Sequence, residues 1–89
     1  SIQGADVLKR YNIKADIIYI DAAHEYKQVL QDIEAYWDIL NDGGVMFGDD
    51  CNNGWPGVQK AVEEFAKSKN LKLTVHGEGL WEIYKCLKN

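Results

Sequence analysis

Asp21, His24, the adjacent pair Asp49-Asp50, and Trp55 are the residues of this 89-residue chain whose types and spacing can do chemistry. Asp21 follows the apolar run Ile17-Ile18-Tyr19-Ile20, and the acidic pair follows Val45-Met46-Phe47-Gly48. Carboxylates offer hard oxygen ligands of the kind that suit Mg²⁺ or Ca²⁺ and not zinc. An imidazole three residues after the first carboxylate is a candidate proton acceptor, because the group titrates near neutrality. The same residues have plainer uses. Asp49-Asp50 can be a turn and a helix-side cap, Asp21 can bind a neighbouring backbone N–H, and His24 can be a surface residue at a helix start.

The elements that must position these groups alternate. Ser1 can cap a helix to about Arg10, with Ala5 and Leu8 inward. Ile17 to Ile20 is an unbroken apolar run, as expected of a parallel strand covered on both faces. Tyr26, Val29, Leu30, Ile33, Tyr36, Trp37 and Leu40 fall on one helical stripe, which Asn41-Asp42-Gly43-Gly44 stops as turn chemistry, not as a phosphate cradle. Val45 to Phe47 is a second short strand. Pro56 suits the first turn of a helix that carries Val58, Ala61, Val62, Phe65 and Ala66 inward and ends near Asn70. Leu71, Leu73 and Val75 alternate with Lys72 and Thr74, and Trp81 to Leu87 forms a last strand. The short Gly77-to-Gly79 loop between these two strands predicts an antiparallel pair. The prediction is a single α/β domain in which Asp21 and Asp49-Asp50 stand at the carboxyl ends of parallel strands, where ligands bind in open α/β sheets.

Composition narrows the functional classes. A net charge of −4 with no basic stripe argues against a nucleic-acid partner. No apolar run approaches the ~18 residues of a membrane helix, and no signal-peptide pattern opens the chain, so a cytoplasmic location is expected. Cys51 and Cys86 lack metal spacing and form no disulfide framework.

Three segments then carry a resemblance. Ala15-Asp16-Ile17-Ile18-Tyr19-Ile20-Asp21-Ala22-Ala23-His24-Glu25-Tyr26 resembles the D-L-I-Y-I-D-G-x-H-x-Y segment of class I S-adenosylmethionine-dependent methyltransferases, in particular the macrocin O-methyltransferase and cephalosporin-hydroxylase-like group. Asn41 to Asp50 resembles their K-P-G-G-V-I-x-G-D-D strand, and Trp55 to Phe65 their W-P-G-V-x-K-A-V-x-E-F helix. Ala22-Ala23 replaces the usual residues after the first Asp, which alters the loop there, and Asn41-Asp42 replaces Lys-Pro.

The resemblance implies the C-terminal half of a Rossmann-like sheet, with strand order 4-5-7-6 and the last strand antiparallel. It places the cofactor-binding half before Ser1, so that residues 1–89 form one partial domain. No glycine-rich phosphate loop occurs in the chain. By resemblance, Asp21, Asp49 and Asp50 hold Mg²⁺ or a similar divalent cation, His24 is the general base, and Trp55 lines the pocket of a small-molecule hydroxyl acceptor. The function implied is metal-assisted O-methyl transfer from S-adenosylmethionine, with the isolated chain inactive. A receiver domain also clusters aspartates around Mg²⁺, but its acidic pair precedes its lone aspartate, the reverse of the order here. A non-catalytic binding or assembly module derived from a methyltransferase is the alternative. With no strand-one neighbour, the Ile17–Ile20 strand has an edge unblunted by charge or proline, which predicts a homodimer or higher oligomer.

Overall fold

The apolar runs become one sheet with two helices on a single face. The computed structural model describes residues 15–20 and 24–85. In chain order the elements are β1 (Ala15–Ile20), α1 (Tyr26–Trp37), β2 (Leu40–Gly48), α2 (Pro56–Ser68), β3 (Leu73–His76) and β4 (Leu80–Tyr84). The sheet order is β1-β2-β4-β3, the order expected. β1 and β2 are parallel, while β4 runs antiparallel to both β2 and β3. The Ser1-to-Arg10 helix, Asp21, Cys86 and the last residues of the final strand lie outside the described residues.

The core forms where the helical stripes meet the alternating strands. Ile18 and Ile20 of β1, Met46 of β2 and Trp81 and Ile83 of β4 point to one face. Val29, Ile33 and Trp37 of α1 and all five inward residues expected on α2 cover them. The edge of the Trp37 indole packs on the Phe65 ring, with centroids 5.1 Å apart. Among the described residues no element covers the second face of β1, which its unbroken apolar run predicted to be covered. Ile17 and Tyr19 are 67% and 46% exposed, because both described helices pack on the opposite face.

Two boundaries differ from the periodic reading, and each has a long-range cause. The first helix ends at Trp37, and Leu40 opens β2 instead of closing the helix. Ala15 donates its N–H to the Ile39 carbonyl, and Lys85 Nζ bonds the carbonyls of Trp37 and Leu40 at 2.8 and 2.7 Å. These partners satisfy the helix end without another turn. Farther on, Leu71 belongs to a helix exit and not to β3. Asn70 takes the left-handed φ of 55°, its N–H reaches the Lys67 carbonyl, and the Leu71 N–H reaches the Ala66 carbonyl. That is a Schellman closure with asparagine in the usual glycine position.

Candidate functional site

The carboxyl ends of β1 and β2 open into a cleft of about 660 Å³, whose far wall is the loop between β3 and β4. Tyr19, His24, Asp49, Asp50 and His76 reach it. Parallel pairing sets Ile20 beside Gly48, so whatever follows either strand emerges at the same end of the sheet.

The two aspartates part company there. Asp49 continues the alternation of β2 beyond Phe47, and its Oδ2 accepts the Tyr19 hydroxyl at 2.7 Å. Asp50 takes a left-handed backbone, φ 68°, which aspartate tolerates better than most residues. Its Oδ2 meets His24 Nε2 at 2.8 Å. A carboxylate only accepts, so Nε2 carries the hydrogen of this bond, and in the neutral form of the ring the lone pair lies on Nδ1. The Trp55 indole stacks on the same imidazole, with centroids 3.7 Å apart and planes 18° apart. Of the residues singled out from sequence, the structure therefore joins His24, Asp50 and Trp55 in one cluster. Asp49 lines the same cleft but is tied to Tyr19, and Asp21 lies outside the described residues.

As a metal site the described residues are incomplete. No group of three acidic, histidine or cysteine ligands occurs among them. The donor chemistry still suits a hard cation, since two carboxylates, Asp49 and Asp50, line the cleft.

Two contributors escaped the sequence reading. The Tyr19 hydroxyl reaches a partner 30 residues away, and only strand register makes that contact. Asn52 ties the acidic turn to the far wall: its Oδ1 accepts the Gly54 N–H at 2.9 Å and its Nδ2 donates to the Glu78 carbonyl. The Asn-Asn-Gly composition signals the turn but not the second bond.

Cys51, next to the pair, is buried, and its backbone N–H donates to the Gly79 carbonyl at 2.9 Å. Burial, then the charge of Glu63, pushes its thiol above the ordinary value of 9.0. The folded state thus holds the proton longer than the unfolded chain does. Stability from this group is fully present below pH 9.0 and falls as pH rises through the higher folded value. Tyr26 moves the same way, because its hydrogen bond with Glu64 favours the protonated phenol. The urea midpoint is expected to fall between pH 8 and pH 10.5, and to fall less in Cys51→Ala. Equal slopes for the two proteins would remove the thiol from the account.

Comparison with known proteins fits this arrangement. Residues 3–51, more than half of the chain, match the model of a methyltransferase domain. The chain belongs to that methyltransferase family. Its fold is similar to that of CalS11 in the apo form, a TDP-rhamnose 3'-O-methyltransferase in calicheamicin biosynthesis, with TM-score 0.71 and 18% identity over 91% of this chain and 36% of that one. It is also similar to an O-methyltransferase from Bacillus cereus solved in complex with SAH, with TM-score 0.64 and 17% identity over 94% of this chain and 47% of that one. The chain thus spans less than half the length of either solved structure. No curated protein matches it. No helix among the described residues is long and apolar enough to cross a membrane.

Proposed function

We propose that the chain is the acceptor-side part of an S-adenosylmethionine-dependent O-methyltransferase, with His24 as the general base for a small hydroxyl acceptor. The observation that carries this reading is the hydrogen bond between His24 Nε2 and Asp50 at the carboxyl end of the sheet. S-adenosylmethionine, when bound, supplies the methyl group on a sulfonium. The lone pair on Nδ1 accepts the acceptor's hydroxyl proton as the oxygen takes that methyl, and the Asp50 carboxylate stabilises the imidazolium that results. A divalent cation would be held by the carboxylates of Asp21, Asp49 and Asp50, and would lower the pKa of the acceptor hydroxyl.

Titration with Mg²⁺ or Mn²⁺ tests the cation. Binding by the wild type is expected to be lost in the double variant Asp49→Ala/Asp50→Ala, and equal weak binding by both proteins would remove the metal. Cofactor binding is a separate matter. With no glycine-rich loop in its sequence, the 89-residue chain on its own is expected to bind S-adenosylmethionine weakly and to transfer no methyl group. Calorimetry giving micromolar affinity would overturn that expectation.

Self-association through β1, which stands at the end of the described strand order, belongs to the same proposal. For the chain on its own, two β1 strands would pair antiparallel across a two-fold axis. Light scattering at micromolar concentration is then expected to give twice the chain mass. A one-chain mass with rapidly exchanging amides in that strand would rule the dimer out.

A further inference from the structure

Trp55, Pro56 and Gly57 stand where the acidic turn gives way to α2, and two of them act directly on His24. A Cβ on Gly57 would lie 2.5 Å from the His24 carbonyl oxygen and 2.9 Å from the Tyr26 nitrogen. Only a residue without one lets the first turn of α2 rest on the backbone that opens α1. Pro56 fixes the φ of that turn. Trp55 is the N-cap, and its carbonyl accepts the N–H groups of Val58 and Gln59, so the root of the indole is anchored to the helix.

The imidazole is then held twice, at its edge by Asp50 and on its face by Trp55. A single hydrogen bond fixes the position of Nε2 but leaves the ring free to roll about that bond. Burial does not prevent the roll, because the His24 side chain is 40% exposed and Trp55 is 42% exposed. The stacked indole supplies the missing constraint on the ring plane. We infer that Trp55 is a positioning residue for His24, set over it by the close approach that Gly57 permits, and that the pair acts on the direction of the Nδ1 lone pair. The inference rests on the reading of His24 as the base, and it gives Trp55 a role that requires no contact with the acceptor.

Nuclear magnetic resonance of the 89-residue chain tests it without cofactor or acceptor. In the wild type, His24 is expected in the Nε2–H form, its ring C–H signals shifted upfield by the indole and cross-relaxing with the Trp55 ring protons. In Trp55→Ala the upfield shift is lost, and the ring stays in the Nε2–H form set by Asp50 but its C–H order parameters fall. Trp55→Phe is expected to keep the wild-type ring order with a smaller ring shift. Gly57→Ala reproduces the Trp55→Ala spectrum with the indole still present. His76, paired with Glu82 at 3.2 Å on the hairpin, is the internal control whose signals stay fixed.

Methyl signals of Val58 and Ile33 report whether each variant is folded. A folded Trp55→Ala whose His24 ring C–H order parameters match the wild type overturns the proposal. If that variant unfolds, a wild-type spectrum without His24–Trp55 cross-relaxation overturns it equally, and its presence supports it. Methyl transfer enters none of these measurements. An inactive enzyme with an intact stack would count against the proposed function alone, and an active one with a freely rolling His24 against the positioning role alone.

Discussion

Gly48→Ala is expected to lower the melting midpoint by about 8 to 16 °C. Gly48 ends β2 between two neighbours that cannot give way. A Cβ there would sit 2.8 Å from Trp81 Nε1 and 2.9 Å from the Ile20 carbonyl oxygen. The first belongs to an indole only 1% exposed, and the second to the paired backbone of β1. Alanine in place of glycine usually gains a few tenths of a kcal/mol to about 1 kcal/mol by restricting the unfolded chain. Overpacking a closed site costs about 1–3 kcal/mol, and here three contacts fall below the closest approach of real Cβ atoms. The clash wins, by about 2 kcal/mol net. Because the indole is one of the two obstacles, Gly48→Ala combined with Trp81→Leu is expected to cost less than the sum of the single changes. Strict additivity would show that strand pairing, and not the indole, resists the methyl group.

The second large effect concerns rate. In a polypeptide that carries these residues and transfers methyl groups, His24→Ala is expected to slow transfer by about 10²- to 10⁴-fold, the usual worth of a positioned base. Asp50→Asn keeps the shape but exchanges a pure acceptor for an amide that can donate, so Nε2 loses its preference for carrying the hydrogen. A loss of at least ~10-fold is expected, by the tautomer logic that makes the aspartate of a Ser-His-Asp triad indispensable. Excess Mg²⁺ separates the two uses of Asp50. Restored activity in Asp50→Asn would assign the residue to the cation alone, and unrestored activity assigns it to His24.

What was legible in the sequence was what repeats locally. Val58, Ala61, Val62, Phe65 and Ala66 lie on one stripe by spacing alone, and all five are buried. The strand ends could be placed because Asp21 and Asp49-Asp50 interrupt apolar runs. Contacts set by register and by distant backbone were not legible. Leu40 continues the helical stripe of α1 in sequence, but Lys85, 48 residues downstream, captures the Trp37 carbonyl that another helical turn would have used, and Ala15 takes the Ile39 carbonyl. Ile17 and Tyr19 have the composition of a strand buried on both faces, and composition cannot say where both helices will pack. In the site, residue types marked His24 and the acidic pair, yet nothing in the types divides Asp49 from Asp50. The positive φ of Asp50 does that, and it appears only when the turn is built.

Lys85 also sets the order in which the molecule can be completed. Its ammonium closes the end of α1 from a point 48 residues downstream of Trp37. At ordinary rates of synthesis that interval lasts about 2 to 10 s. Throughout it the Trp37 and Leu40 carbonyls lack their lysine, and β2 has no β4 along its second edge. A nascent chain stalled before Lys85 would therefore present an unfinished sheet to its surroundings, whereas release of the last strand seals the helix end and the sheet edge together. Released chains truncated before β4 or after Lys85 should differ sharply in protease resistance, with the step falling at β4 and not at either helix.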